Sequence, residues 1–241
     1  MAATEVGADR SPSPKEDDAF ETLVLIPARG GSKGIRDKNI ADLGGVPLLA
    51  HTIRTAQAAR NVDRIVVSTE SEGIRRVALE WGAEAPFLRP RELAEDHADM
   101  GDAIRHARLE LAKDGYSPDA VVILLATSPF RSPGLVELAV DSLRRGYNHF
   151  TTVKECPMRP CDLLERDAAG RMRMLHPDAD RRLFLRPYGL VTGQRLGKAG
   201  GKGNLMHRIG DPVACIDIDE PEDLELARRV LDAGLFRPCR P

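Results

Sequence analysis

A run of glycines and cations that directly follows an apolar segment carries the clearest chemistry of this 241-residue chain. The run reads PARGGSKG at 27–34. Glycines after a buried strand let backbone N–H groups turn toward an anion, and Arg29 and Lys33 add cations that suit a polyphosphate. Neither the P-loop pattern nor the dinucleotide pattern G-x-G-x-x-G is present. We therefore predict a phosphate-binding loop of another kind; the alternative is an ordinary strand-to-helix turn with surface charges.

Two aspartates near the end of the chain form a second candidate site. Asp217 and Asp219 close an apolar run, 213–219, that we expect to be a strand. Successive side chains of a regular strand point to opposite faces, but at an irregular end both carboxylates can reach one Mg²⁺. The alternative makes Asp219 the N-cap of a helix beginning at Pro221, and these residues alone favour that alternative.

A third candidate is the segment ATSPFR at 126–131, which directly follows the apolar run 121–125. Ligands of parallel α/β sheets bind beyond the carboxyl ends of the strands, which makes Thr127 and Ser128 candidates for substrate contacts. A polar linker between a strand and a helix has the same composition, and the residues alone do not choose between the two interpretations.

The elements that must position these segments alternate along the chain. Apolar runs predict strands at 22–26, 65–69, 121–125 and 150–153, and caps and periodicity predict helices at 47–59, 71–82, 99–113, 132–146 and 221–234. Such alternation predicts an α/β fold with a mostly parallel sheet and helices on both faces. The loops after Ile26, Thr69 and Leu125 are then expected to share one crevice.

Two regions depart from this alternation. Residues 1–19 are rich in serine, proline and charge, and predict a disordered tail ahead of one domain at 20–241. Residues 155–210 interrupt the alternation. We expect a small insertion there that forms the second-substrate side of the site and offers a contact for a second subunit.

The composition excludes several classes of protein. Lys and Arg total 35 against 37 Asp and Glu, which gives no basic patch for nucleic acid or an anionic membrane. No apolar stretch approaches the roughly 20 residues of a spanning helix. The four cysteines contain no C-x-x-C pair, and the spacing of Cys156 and Cys161 is not supported by a further pair that would complete a zinc finger. Without a secretory signal, we expect reduced thiols and a cytoplasmic protein.

The segments at these sites resemble the motifs of the acylneuraminate cytidylyltransferase family, which makes CMP-activated sialic acids and their bacterial relatives. LVLIPARGGSKGIRDKNI at 23–40 is the most specific match. Shorter matches follow in the family's order: RIVVSTE at 64–70, FLRPRELA at 87–94, TSPFR at 127–131 and IDIDEPEDL at 216–224. The resemblance spans residues 22–235.

This resemblance implies a Rossmann-like nucleotidyltransferase fold, Mg²⁺ as cofactor and usually a homodimer. It implies that CTP and a small acidic acceptor are the substrates, and that an acceptor oxygen attacks the α-phosphorus as pyrophosphate leaves. The implied nucleotide site contains Arg29, Gly30, Gly31, Ser32, Lys33, Lys38, Asn39 and Arg89. The implied acceptor site contains Thr127, Ser128, Arg186 and Tyr188. Asp217 and Asp219 become metal ligands, which reverses the preference for a helix cap, and Arg29, Lys33 and Asp217 become the candidate catalytic residues.

The acceptor side departs from the family's motifs. Leu125-Ala126 stands where the family has Gln-Pro, Tyr188 replaces an asparagine, and Thr192 replaces a tyrosine. Arg186 and the pair at 181–182 remain as candidates for an acceptor carboxylate or phosphonate. We therefore expect CMP transfer to a sialic-acid-like nonulosonic acid. The alternatives are a shorter ulosonic acid or a phosphonate as acceptor, or an inactive nucleotide-binding relative.

Overall fold

The computed structural model describes residues 20–32, 34–95, 98–155, 164–166, 168–169, 171–174, 185–197 and 201–239. Several predictions concern residues outside this set, namely the tail at 1–19, Lys33, the cysteines at 156 and 161, and the arginines at 181–182.

Six strands of the described residues form the central sheet. In spatial order they are β10 (Asn204–Arg208), β6 (His149–Glu155), β9 (Leu185–Arg195), β5 (Ala120–Ile123), β1 (Thr22–Pro27) and β4 (Arg64–Ser68). β1 runs parallel to β4 and β5, and β10 runs parallel to β6. β9 is antiparallel to both of its neighbours, β5 and β6. The predicted α/β fold with a mostly parallel sheet is confirmed, with a reversal at β9.

Five α-helices of the described chain flank the sheet: α1 (Leu48–Gln57), α2 (Glu72–Glu80), α3 (Met100–Lys113), α4 (Pro133–Arg144) and α5 (Pro221–Asp232). Both faces of β1 are buried, as expected for an interior parallel strand. Val24 and Ile26 pack in one core with α1, α2 and α4. Leu23 and Leu25 pack on the opposite face with Ala107 of α3. The prediction of helices on both faces is therefore confirmed. None of the helices in the described ranges has both the length and the apolar character needed to cross a membrane.

The helix ends follow the predicted chemistry. Ser71 and Ser132 are the N-caps of α2 and α4, and each hydroxyl accepts the backbone amide three residues on. Beyond the other ends of these helices, Gly82 and Gly146 have φ angles of 78° and 96°, which glycine adopts without steric cost. Pro47 was expected inside the first turn of a helix. It instead immediately precedes α1 and pairs in a short hairpin of β2 (Asp42–Leu43) with β3 (Val46–Pro47).

The prediction of an insertion over 155–210 is wrong for a large part of that range. Residues 185–195 and 204–208 are β9 and β10 of the central sheet. A separate hairpin of β7 (Leu164–Arg166) and β8 (Met172–Met174) lies outside the sheet. The sequence obscured β9 because glycine, proline and arginine interrupt its apolar pattern. Its buried positions are Leu190, Val191 and Gly193, which do not alternate as in a half-buried strand.

The predicted strand at 213–219 is also wrong. Val213–Cys215 form a 3₁₀ turn, and residues 216–219 have no regular structure. Ile218 is fully buried and packs with Leu224 and Ala227 of α5. The apolar run therefore packs against a helix instead of pairing in a sheet. A short apolar run does not by itself distinguish these two outcomes.

Candidate active site

The loop after β1 leaves the sheet at the carboxyl ends of the parallel strands. The amide of Ala28 still donates to the carbonyl of Ser68, at 3.0 Å, as a continuation of the β1–β4 pairing. The next glycine, Gly30, donates its amide to Oε1 of Glu70 at 2.6 Å. Glu70 lies just beyond β4, so its carboxylate links the loops that follow these two neighbouring strands. This hydrogen bond joins two of the three loops that we predicted to share one crevice.

Glu70 also fixes a buried arginine. Its second oxygen, Oε2, accepts Nη2 of Arg89 at 3.3 Å, and the Arg89 side chain is 4% exposed. The amide of Arg89 donates to the carbonyl of Thr69 at 2.8 Å. The side-chain amide of Asn39, also buried, donates to the carbonyl of Arg29 at 2.8 Å. Backbone and side-chain bonds together hold these two residues of the predicted nucleotide site against the glycine-rich loop.

The segment that carries the aspartates packs closely against the same loop. Lys38 Nζ lies 2.7 Å from Oδ1 of Asp219. A Cβ atom at Gly34 would lie 2.5 Å from the carbonyl oxygen of Asp219, so only glycine permits this approach. Residues 34–38 and 219 therefore form one wall, although 181 residues separate Lys38 from Asp219 in the chain.

An open cavity of about 460 Å³ lies between these loops, a size typical of small-molecule sites. Its lining consists of residues from the loop after β1, the segment around Arg89, the loop after β5 and the start of α5. They are Pro27, Arg29, Ser32, Gly34, Lys38, Asn39, Arg89, Met100, Leu125, Ala126, Thr127, Asp219 and Glu220.

Asp219 is not the cap of α5. The N-cap is Glu220, and the carboxylate of Asp223 accepts the amides of Asp219 and Glu220 at 3.0 and 2.9 Å. The side chain of Asp219 is 67% exposed and points to Lys38. The helix-cap interpretation of Asp219 is therefore wrong.

A second group of polar residues lies beside the cavity, where β9 meets the loop after β5. It consists of Ser128, Lys154, Arg186, Tyr188, Cys215 and Asp217, and we call it the β9 cluster. Ser128 Oγ lies 3.4 Å from Oδ1 of Asp217. Burial, followed by the negative charge of Asp217, raises the pKa of Tyr188 to about 12, so this phenol stays protonated near neutral pH. Ile218 donates its amide to the carbonyl of Thr127 at 2.8 Å, which joins the β9 cluster to the cavity wall.

An irregularity in the sheet presents Tyr188 to this cluster. Thr151 pairs with Thr192 and Val153 pairs with Pro187, so the single residue Thr152 faces the four residues 188–191. The hydroxyl of Thr152 accepts the amide of Val191 at 3.2 Å within the bulge. Bulges of this kind redirect side chains near functional sites.

A fully buried arginine joins the cavity to the bulge. Arg131 donates from Nε to the carbonyl of Leu190 at 2.7 Å and from Nη2 to the carbonyl of Leu125 at 2.9 Å. Its Nη1 lies 3.2 Å from the hydroxyl of Thr52. Burial lowers the pKa of Arg131 to about 9. The guanidinium therefore remains charged at neutral pH and fixes both walls through their backbone.

The structure divides the predicted site residues between two places. The cavity collects Arg29, Ser32, Lys38, Asn39, Arg89, Thr127 and Asp219. The β9 cluster collects the remaining acceptor and metal candidates, Ser128, Arg186, Tyr188 and Asp217. Gly30 is engaged by Glu70, Gly31 is exposed and does not line the cavity, and Lys33 lies outside the described residues.

Sequence reasoning assigned no role to Glu70, Arg131 or Lys154. Glu70 ends the segment 64–70, just beyond β4, and Arg131 ends the segment 127–131, in the loop after β5. The resemblance of these segments to family motifs is the sequence feature that could have identified both residues. Lys154 had no comparable signal, because its neighbours become apparent only when β6 pairs with β9.

The family model described as cytidylyltransferase matches residues 23–169. The chain belongs to the cytidylyltransferase family. Among its relatives, the pseudaminic acid cytidylyltransferase of Campylobacter jejuni is 38% identical over 131 residues, 54% of this chain and 56% of that protein. The CMP-N,N'-diacetyllegionaminic acid synthase of Legionella pneumophila is 35% identical over 150 residues, 62% of this chain and 65% of that protein. The N-acylneuraminate cytidylyltransferase of Oncorhynchus mykiss is 31% identical over 233 residues, 90% of this chain and 52% of that protein.

The chain thus spans 52–65% of the length of these cytidylyltransferase relatives. Among solved structures, CMP:2-keto-3-deoxy-manno-octonic acid synthetase complexed with CTP superimposes with a TM-score of 0.67 at 16% identity, covering 89% of this chain and 99% of that one. The 4-diphosphocytidyl-2C-methyl-D-erythritol synthase of Anaerococcus prevotii gives a TM-score of 0.58 at 13% identity, covering 90% of this chain and 98% of that one. At such identities the likeness shows the fold alone, which is the α/β nucleotidyltransferase fold.

Proposed function

We propose that this chain is a CTP-dependent cytidylyltransferase that transfers CMP to an acidic acceptor, a sialic-acid-like nonulosonic acid, and releases pyrophosphate. The observation that carries the proposal is the cavity at the carboxyl ends of β1 and β5, where Arg29, Lys38 and Arg89 converge in a member of this family. The relatives named for pseudaminic, legionaminic and N-acylneuraminic acids support the acceptor class.

The nucleotide occupies the cavity in this proposal. Arg29, Lys33 and Lys38 supply cations to the triphosphate, Ser32 supplies a hydroxyl, and the glycines at 30–31 keep the backbone accessible. Asn39 and Arg89 contact the cytidine. A buried arginine held by Glu70 suits this role, because its orientation is fixed before the nucleotide arrives.

The reaction forms one bond and breaks two. An acceptor hydroxyl oxygen bonds to the α-phosphorus of CTP, while the bond from that phosphorus to the bridging oxygen of the β-phosphate breaks and pyrophosphate leaves. The O–H bond of the acceptor also breaks, and its proton passes to solvent. The cations of the cavity neutralise the charge that develops on the phosphate oxygens, and most of the catalysis in such transfers comes from positioning and charge.

Mg²⁺ is the proposed cofactor, and Asp217 and Asp219 would hold it. No group of three or more His, Cys, Asp or Glu side chains that could hold a metal is present within the described part of the chain, so oxygens of the substrate and of water would complete the coordination. Mg²⁺ at phosphate-transfer sites is commonly held in this way, by one or two carboxylates and the substrate. Bound there, the ion would withdraw charge from the phosphates. Asp219 lines the cavity and Asp217 lies two residues earlier in the chain, so the pair offers carboxylate oxygens of the kind that Mg²⁺ takes as ligands.

The acceptor lies against Thr127, Ser128, Arg186 and Tyr188, of which Thr127 also lines the cavity. We further propose a homodimer that works in the cytoplasm. Size-exclusion chromatography with light scattering tests the subunit count, and a monomer that retains full activity would contradict the homodimer.

Thermal shift with nucleotides tests the first half of the reaction. A ligand that binds only the native state raises the melting temperature, so CTP with Mg²⁺ is expected to stabilise the protein more than ATP or GTP. Equal shifts for the three nucleotides would remove the basis for a cytidylyltransferase.

Pyrophosphate release with CTP and a panel of acids tests the second half. The panel contains pseudaminic acid, N,N'-diacetyllegionaminic acid, N-acetylneuraminic acid, 3-deoxy-manno-octulosonate and a small phosphonate. We expect a nonulosonic acid to be preferred and N-acetylneuraminic acid to be used weakly, because Leu125, Tyr188 and Thr192 alter the acceptor side. A kcat/KM above roughly 10⁴ M⁻¹s⁻¹ for N-acetylneuraminic acid, an ordinary value for an enzyme's own substrate, would contradict the second expectation.

A further inference from the structure

Two cations lie side by side where β6 pairs with β9. Lys154 is directly opposite Arg186 in the antiparallel pairing, and opposed residues project from the same face of a sheet. Within the described ranges neither side chain has a carboxylate partner. The nearest acidic residue along the chain, Glu155, pairs with Arg208 instead.

A ring contact places this pair of cations in the β9 cluster. Nζ of Lys154 lies 4.0 Å from the centre of the Tyr188 ring, a cation–π contact that holds the ammonium group over the half-buried aromatic ring. Arg186 lies directly opposite Lys154 and only two residues before Tyr188 on β9, so both cations lie beside this ring.

Like charges directly opposite each other on paired strands destabilise a sheet. Lys154 and Arg186 carry this cost with no carboxylate from the described residues to offset it. An anion bound between them removes the repulsion and accepts hydrogen bonds from both, with the planar guanidinium suited to two parallel bonds and the ammonium acting as a point charge.

The position of the pair indicates which anion binds there. Arg29, Lys38 and Arg89 line the cavity proposed for the nucleotide, whereas Lys154 and Arg186 do not, so the triphosphate has its own partners. Within the same cluster, Lys154 contacts the ring of Tyr188 and Ser128 contacts the carboxylate of Asp217. The remaining anion of the proposed reaction is the carboxylate of the acceptor.

We propose that Lys154 and Arg186 bind the acceptor carboxylate together, and that Lys154 determines the preference for an acid over a neutral sugar. This inference rests on the proposed function and adds a specificity residue to it. The ring of Tyr188 orients the ammonium group, and the β6–β9 pairing sets the separation of the two cations.

Steady-state kinetics of Lys154→Met tests the inference with the panel acid that gives the highest kcat/KM in the wild-type protein, and with the carboxamide of that acid. We expect the KM for the acid to rise about 10- to 100-fold, the range for loss of a charge-assisted hydrogen bond. The kcat and the melting-temperature shift caused by CTP are expected to stay unchanged. The wild-type protein should prefer the acid to the amide, and Lys154→Met should lose most of that preference, whereas Lys154→Arg should keep it.

Lys113→Met is the matched control, because it removes the same charge from an exposed position at the end of α3. An unchanged KM for the acid in Lys154→Met, or an equal change in the control, overturns the inference while leaving the proposed function intact. If the wild-type protein binds CTP but converts no acid of the panel, the acceptor class is wrong and the inference falls with it.

Discussion

The cavity that we propose for the nucleotide and the β9 cluster are neighbours, yet they are built differently. The cavity is made of short loops that directly follow parallel strands, and Glu70 locks these loops through Gly30 and Arg89. The β9 cluster is made of side chains from an antiparallel strand with a bulge, an irregular segment before α5, and β6. The first region joins loops that lie at the same edge of the sheet, whereas the second also requires the pairing of β6 with β9.

This difference suggests separate roles in the reaction. A preorganised cavity suits a substrate of one fixed structure, which in our proposal is CTP. A site built on an irregular strand can change its side chains without disturbing the parallel sheet, and it suits a substrate that varies. Asp219 belongs to the cavity and Asp217 to the β9 cluster, so the two aspartates connect the regions.

The largest expected effect comes from these aspartates. Asp217→Asn and Asp219→Asn should each lower kcat by several orders of magnitude, because a neutral amide binds Mg²⁺ poorly. Asp114→Asn, an exposed position at the end of α3, serves as the control. If both variants keep their activity and show only a lower melting temperature, neither carboxylate takes part in the reaction. The proposed connection of the cavity with the β9 cluster through the two aspartates would then be wrong.

Arg131 is expected to produce the next largest effect, because it supports both regions. Arg131→Met leaves the carbonyls of Leu125 and Leu190 without their charged donor. Each buried group that loses its partner costs about 1–3 kcal/mol, so the loss at two carbonyls should lower the free energy of unfolding by roughly 2–6 kcal/mol in urea titrations.

Two further variants give this result its meaning. Arg131→Lys keeps a charge but cannot reach both carbonyls, and should recover only part of the loss. Arg76→Met, on the exposed side of α2, should change the free energy of unfolding by less than about 0.5 kcal/mol. A loss below about 1 kcal/mol in Arg131→Met would mean that the two walls are held by other contacts.

A third variant tests whether the two regions are separable. Glu70→Gln keeps an acceptor for the Gly30 amide but removes the charge that pairs with buried Arg89. Breaking such a pair leaves an uncompensated buried charge. We expect the KM for CTP to rise about 10- to 50-fold, where each factor of ten corresponds to about 1.4 kcal/mol of binding free energy. The KM for the acceptor should change less than about threefold.

Glu72→Gln provides the control for Glu70, because Glu72 is exposed and pairs with Arg75 one turn along α2. Equal increases in both KM values for Glu70→Gln would show that the cavity and the β9 cluster respond as one unit, and the comparison between them would fail. The Glu70 and Lys154 variants should therefore show opposite effects. Glu70→Gln raises the KM for CTP, and Lys154→Met raises the KM for the acceptor acid.

The same contrast explains how far the sequence predicts this molecule. The buried strands β1, β4 and β5 are short apolar runs with clear turns, and their ends locate Arg29, Thr127 and the glycine-rich loop. β9 was missed because Pro187, Gly189 and Gly193 interrupt its pattern, and a central antiparallel strand is recognisable only through its two neighbours.

The aspartate segment shows a second limit. Its apolar residues predicted a strand, but Ile218 packs under α5 instead, and that packing turns Asp219 toward Lys38. Glu70 and Arg131 stood inside segments that resemble family motifs without any sign of their partners. Such partners are long-range contacts, and the spacing of residues along one chain does not contain them.

The smallest expected effect concerns His51, which belongs to neither region. It is buried in α1, with Nε2 2.8 Å from the carbonyl of Leu43 and with Nδ1 lacking a partner among the described residues. The ring therefore donates from Nε2, and protonation would place an unpaired charge on the buried Nδ1. Burial accordingly lowers the pKa of His51 below its usual 6.5. The unfolded chain takes up this proton near pH 6.5 and the folded protein only at lower pH, so the folded state loses stability as pH falls below about 6.5.

His51→Gln should flatten this dependence, because the glutamine amide can still donate to Leu43 but does not titrate. We expect the slope of the free energy of unfolding against pH, measured by urea titration between pH 7 and 5, to fall by at most one proton, about 1.4 kcal/mol per pH unit. Burial also lowers the pKa of His106, so part of the slope should remain. His149→Gln removes an exposed ring and is the control. The KM values for CTP and for the acceptor should both stay within about twofold of wild type at pH 7.5. A larger change in either KM would mean that α1 transmits strain to the cavity, and that the cavity and the β9 cluster depend on the packing of the core.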